Sequence, residues 1–151
     1  MLGKTGGKMV RRTQQNVYNT KEKWQNVNEN NKKLVKEFIE YASATDKSIA
    51  TREVYHHNLQ LFFLWVMEEK NNVFFTELKK RDYMGWLAYL IDKQNLSPSR
   101  VRQMRSTVSS LSNFCEDVLA DEDERFENYR NLILTFISKN SPTFYKWEMN
   151  C

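Results

Sequence analysis

Apolar residues recur at helical spacing in five separate stretches of this 151-residue chain. The first runs from about Asn31 to Ala42, where Leu34, Val35, Phe38, Ile39 and Tyr41 share a face. "SATDKS" breaks it, and Ser48 is placed to cap a long second helix reaching about Lys70. On that helix Tyr55, Leu59, Phe62, Phe63 and Val66 form one stripe, and Val54, Leu61 and Trp65 form another. Apolar faces on two sides predict a helix packed from two sides, with a narrow polar strip at Glu53, His56, His57 and Gln60. A third helix is expected from about Arg81 to Gln94, burying Met84, Leu87, Leu90 and Ile91. The fourth opens at "LSPSRVRQMRSTVSSLSNF", capped by Ser97 with Pro98 at its first position, where a missing N–H costs nothing. A fifth, after "LADEDE", is expected over about Glu124 to Ile137, presenting Phe126, Tyr129, Leu132, Ile133 and Phe136.

Four glycines and two prolines agree with an all-α architecture, a compact bundle of four to five helices. Residues 1–28 lack a sustained apolar period and read as a flexible basic arm carrying Lys4, Lys8, Arg11 and Arg12. Residues 29–138 form the helical domain, and 139–151 a loosely attached tail. The longest apolar run, Leu61 to Met67, is far too short to span a bilayer, and no apolar segment follows the basic N-terminus to make a signal peptide. Cys115 and Cys151 make no disulfide framework, so a reducing cytoplasm is the expected setting.

Charge changes the picture. The net value of +4 is mild, but it alternates in blocks. Residues 1–36 hold nine Lys and Arg against two acids, and residues 79–105 hold seven against two. The stretches between and after are acidic, which gives the protein a positive side suited to a polyanion.

Catalytic chemistry finds little to stand on. "GKTGGK" lacks the first glycine and the final Ser or Thr of a phosphate loop, and no strand precedes it. His56 and His57 are adjacent and so point roughly 100° apart on a helix, which denies them a shared metal. No HExxH or CxxC is present, Cys115 lies on an apolar stripe, and the acids of "DEDE" suit a solvated loop. No cofactor or metal is expected.

The fourth helix is the exception. Val101, Met104, Val108, Leu111, Cys115 and Val118 make its buried stripe. Opposite lie Ser99, Arg102, Gln103, Ser106, Ser109, Ser110 and Asn113, with Arg105 on the flank and no acid before Glu116. Arginine forks onto phosphate or guanine, Gln and Asn onto adenine, and short serines reach phosphates without holding the helix off a groove. The first free N–H groups, at Ser99 and Arg100, add an anion site. The same hydroxyls also suit close helix packing, and Ser109 and Ser110 fit either use.

These residues resemble a known family. "LVKEFIEYASATDKSIATREVYHHNLQLFFLWV", with Ser48, Thr51, Tyr55, Leu59 and Phe62 or Phe63 at fixed spacing, is similar to the N-terminal core-binding (SAM-like) domain of tyrosine recombinases, the phage integrases. "FFTELKKRDYMGWLAYL", the fourth-helix segment and "YRNLI" continue the likeness from about Asn31 to Ile137. The resemblance implies half of a C-shaped clamp on double-stranded DNA, with the second and fourth helices against the major groove. It places Ser97, Ser99, Arg100, Arg102, Gln103, Arg105 and Ser106 on the DNA side of the fourth helix, Arg102 and Arg105 foremost. His56, His57 and Gln60, beside Arg52, fall on the second, and Lys79, Lys80 and Arg81 are phosphate contacts at the start of the third. Other recombinase protomers are the implied protein partners, in a cytoplasmic, nucleoid-associated setting, with no membrane and no small-molecule substrate. The family's catalytic Arg, Lys, His-x-x-Arg and nucleophilic Tyr belong to a second domain that this sequence does not match, so the chain is expected to be no enzyme by itself, either an isolated domain or the product of a truncated gene. The alternative is a helical interaction module acting on a full-length partner through the fifth helix or the tail.

Overall fold

The computed structural model describes residues 20–133, and all statements here concern those residues. They are all-helical: α1 (Glu29–Ala44), α2 (Ile49–Glu69), α3 (Lys80–Ala88) and α4 (Pro98–Asp117), with helical residues at 20–24 before them. Among these residues no helix is long and apolar enough to cross a membrane.

Side-chain oxygens set the helix starts. The Asn28 carbonyl accepts from the Asn31 N–H at 2.8 Å and begins α1 a little before the first apolar residue. Ser48 caps α2 from Thr51 N at 3.1 Å, and Ser97 caps α4 from Arg100 N at 3.1 Å, with Pro98 in the first turn. At α3 the cap comes from inside, where the Asp82 carboxylate accepts from Lys79 N at 2.9 Å. The turns between helices use asparagine and aspartate in the left-handed region, including Asp46 (φ 68°), Asn71 (φ 58°), Asn72 (φ 56°) and Asn95 (φ 56°), residue types that tolerate it best after glycine.

Phe62 on α2 is the centre of the core. Its ring meets Phe63, Trp65, Phe75, Tyr83 and Trp86 at centroid distances of 4.8–6.4 Å. Leu34, Val35 and Phe38 of α1 and Val101, Met104, Val108, Leu111 and Cys115 of α4 close the same core. The apolar stripe expected on α4 is thus buried as far as Cys115. Burial drives the Cys115 thiol far above the usual cysteine range, which keeps it an inert thiol.

Three expectations change. On α3 the buried set is Tyr83, Trp86, Leu87 and Leu90, whereas Met84 and Ile91 are 49% and 46% exposed. The two large rings take the core side because they bury more area than Met and Ile. After Ala88 the helix widens into a π turn, Tyr89–Lys93, closed by Gln94 N to Tyr89 O at 3.0 Å. The expected start of a fifth helix is instead a 3-10 turn, Glu124–Phe126, followed by a non-helical stretch with Asn128 at φ 65°. Phe126 packs edge-on against Phe74 and Tyr129 lies tilted against Phe75, so ring packing against this loop replaces a regular stripe. Residues 132–133 are helical; the remainder of the expected fifth-helix span, to Ile137, lies outside the described residues, as do Lys4, Lys8, Arg11, Arg12 and the 139–151 tail. Finally, residues 20–27, grouped with the arm by their spacing, join the core through buried Val27, partly buried Trp24 and a Lys23–Glu68 pair at 3.1 Å.

The acidic "DEDE" loop serves as a turn. Asp123 accepts from Arg125 N at 3.0 Å and pairs with its guanidinium at 2.8 Å.

A buried asparagine locks α1 to the loop after α2. The Asn31 amide donates to Val73 O at 2.8 Å, and its oxygen accepts from Phe75 N at 3.0 Å. Asn31→Leu leaves both backbone groups without their partner and is expected to lower unfolding stability by about 1–3 kcal/mol. Met84→Lys, at an exposed position, should stay within about 0.5 kcal/mol. Denaturant titration followed by circular dichroism checks both.

Candidate nucleic-acid interface

Helices α2 and α4 pack side by side, and their contact is partly polar. Asn58 is 1% exposed and Thr107 2%. The Asn58 amide donates to the Thr107 hydroxyl at 3.0 Å, and that hydroxyl donates to the backbone oxygen of Gln103 at 3.0 Å. The other end of Asn58, its carbonyl, accepts from Arg100 Nη1 at 2.8 Å, and the same nitrogen donates to Gln103 Oε1. A chain of bonds therefore joins a buried α2 asparagine to two surface residues of α4. Sequence periodicity gave no role to Asn58 or Thr107. Their signal is a polar residue amid core positions: Asn58 directly precedes Leu59 of the apolar stripe, and Thr107 sits beside Val108.

Arg100, half-buried, is held just below the usual arginine range by desolvation. His57 lies close enough to feel it. The His57 imidazole is shifted below its usual value mainly by burial, then by the positive charge of Arg100 and by His56. His56 is exposed and also lowered, through partial desolvation. Next to this seam, a groove of about 320 Å³ runs between Ala50, Thr51, Val54 and Tyr55 of α2 and Gln103, Ser106 and Thr107 of α4.

The remaining expected site residues divide by position. Ser97, Ser99 and Ser106 are exposed, Ser97 being the α4 cap. Arg102 is partly exposed, with Nη1 buried and lacking a hydrogen-bond partner. Arg105, expected on an open flank, is only 9% exposed, because its position falls beside the Val101–Val108 core stripe. Arg52 folds back on the preceding turn, donating from Nε to Lys47 O at 3.1 Å, and Gln60 is partly buried. Lys79, Lys80 and Arg81 stand at the start of α3, by the C-terminal end of α2, where Lys70 pairs with Asp82 at 3.3 Å.

The serine-rich half of α4 has a different use. Asn131 donates to Ser109 O and Oγ at 3.1 and 3.0 Å and to Asn113 Oδ1 at 3.0 Å, while the Tyr129 hydroxyl donates to Ser112 at 3.3 Å. Ser109 and Ser112 are thus where the segment after α4 packs back. Of the two serines open to either use, Ser109 is spent on internal packing, and Ser110 lines a second groove with Tyr41 and Tyr55.

Residues 34–124 match the family described as the N-terminal SAM-like domain of phage integrase. The chain belongs to that family. The match takes in all of α2, α3 and α4 and ends before Phe126 and Tyr129, so the Asn58–Thr107–Arg100 seam lies wholly within the integrase domain. The SPbeta prophage-derived recombinase-like protein YomM of Bacillus subtilis (strain 168) is 34% identical over 112 residues, 74% of this chain. That stretch spans 32% of the relative's length. No solved structure matches the chain.

The histidines of this integrase domain make a pH prediction. Both folded values lie below 6.5, so the unfolded chain binds more protons just beneath that pH. Stability from this source is complete above pH 6.5 and declines as pH falls through the window below it. The double variant His56→Gln/His57→Gln is expected to flatten that decline in thermal melts between about pH 7 and 5.

Proposed function

We propose that this domain is the DNA-binding half-clamp of a site-specific recombinase, holding core-site duplex DNA through α2 and α4. The observation that carries the reading is the seam: a buried asparagine on α2 holds Arg100, which bonds Gln103, with His57 close to Arg100 and Gln103 lining the groove of Ser106 and Val54. A cation, amide and hydroxyl set held against a helix pair suits phosphate and base edges. The partly exposed remainder of the Arg102 guanidinium is a further donor on the same helix. Ser97, Ser99 and the first turn of α4 supply further donors, and Lys79, Lys80, Arg81, Arg52, His56 and Gln60 flank the clamp as backbone contacts. Arg105, almost wholly covered, offers no open surface for a direct contact.

The reading assigns positioning and part of the sequence readout to this stretch and no bond-breaking step. Strand exchange, and pairing with other recombinase protomers, belong to the full-length context that the recombinase-like relative suggests. A protein-interaction module working through the segment after α4 is less well supported, because Phe126, Tyr129 and Asn131 are spent on Phe74, Ser112 and Ser109.

Titration against attachment-site duplex at varied salt tests the proposal. Affinity should fall with a log–log slope of roughly −0.9 for each phosphate neutralised. Arg100→Ala and Arg102→Ala are each expected to cost about 1–3 kcal/mol. Binding no tighter than that of an acidic control domain would end the reading.

A further inference from the structure

Proton bookkeeping along the seam fixes more than position. The Thr107 hydroxyl has one proton, and it is given to Gln103 O at 3.0 Å, so Thr107 meets Asn58 as an acceptor. Asn58 must then present its NH2 to Thr107 and its carbonyl to Arg100. Arginine has no acceptor atom, so the end of Gln103 that meets Arg100 is its carbonyl. Both protons of Arg100 Nη1 are used, on Asn58 and on Gln103. What remains for a ligand is Arg100 Nε and Nη2 together with the NH2 of Gln103, all of them donors.

From this we infer that Arg100 and Gln103 form a donor-only reading unit, set by the buried Asn58–Thr107 pair, which takes an acceptor-only partner. In DNA that chemistry is the guanine O6/N7 edge or a phosphate oxygen pair. The two-way contact that a free glutamine makes to adenine is disfavoured, since it would have to share the carbonyl that already accepts from Arg100. Thr107 is a positioning residue here: it touches no DNA and acts through Asn58. The inference rests on the proposed DNA interface and deepens it by naming what the interface reads.

The test is selection of short randomised duplexes by the full 151-residue chain, its Gln103→Ala, Thr107→Val and Thr107→Ser variants, with thermal melts alongside. At the position whose preference Gln103→Ala erases, the wild type should favour guanine over adenine by about tenfold. Thr107→Val leaves the Asn58 NH2 without its acceptor, loosens the hold on Arg100 and should weaken the preference for guanine there. Thr107→Ser keeps the hydroxyl and should restore guanine. A uniform loss in Gln103→Ala across all sequences would support the donor-only unit and assign its acceptor to phosphate. Adenine selected by the wild type, or a Thr107→Val variant with intact melting and unaltered selectivity, would overturn the inference.

A second readout needs no DNA. In the free chain, side-chain amide exchange by NMR should find the Asn58 NH2 protected and the Gln103 NH2 open to solvent. The reverse pattern would overturn the inference, whereas the expected pattern in a chain that selects no duplex would sink the DNA reading alone.

Discussion

The constraint on which the α2–α4 side of this protein depends is that a buried amide must spend its hydrogen bonds. Asn58 lies between α2 and α4 at 1% exposure, where an unpaired carbonyl or NH2 costs about 1–3 kcal/mol. Apolar packing alone brings the two helices together but tolerates sliding, because dispersion and burial are not directional. Asn58 removes that freedom. Its two ends are satisfied only when Thr107 and Arg100 stand opposite, a single register of one helix against the other. The same register sets Arg100 against Gln103, which lines the groove of Val54 and Ser106.

The device is repeated. Asn31 ties α1 to the backbone at Val73 and Phe75, and Asn131 ties the segment after α4 to Ser109 and Asn113. In each case the aromatic and aliphatic core around Phe62 supplies bulk stabilisation, and an asparagine chooses one arrangement among those the core would allow. The outcome is a bundle whose surface cations are held by the interior. Arg100 is anchored from below through Asn58, Arg105 is almost wholly covered, and Arg102 keeps one buried nitrogen without a partner. A surface ordered before binding loses less entropy on meeting a ligand, which suits the proposed role in placing DNA.

Much of this was legible in the chain. Ser48, Ser97 and Pro98 mark helix starts in the sequence as they do in the fold, and the Val101–Cys115 stripe is buried as its spacing requires. The all-α class and the integrase family also followed from residue pattern. What was hidden has physical causes. On α3 two apolar phases compete, and only packing against Phe62 shows that Tyr83 and Trp86 outweigh Met84 and Ile91. After α4 the spacing of Phe126 and Tyr129 mimics a helix, yet their rings are satisfied by Phe74 and Phe75 from a loop. Around the seam, face assignment put Gln103 and Ser106 on the open side, where they stand exposed, but it gave Arg100 only as a helix-start N–H, placed Arg105 on an open flank, and passed over Asn58 and Thr107. Periodicity sorts residues by side, whereas a buried polar bridge depends on which partner stands across from it.

The most direct measurement is a double-mutant cycle on duplex affinity with Asn58→Ala, Arg100→Ala and the double variant, each shown to be folded by circular dichroism. If Asn58 acts by holding Arg100, the two losses will not add. The double variant should bind within about 0.5 kcal/mol of Arg100→Ala alone. Additive losses, or an Asn58→Ala chain that binds as well as the wild type, would contradict the account.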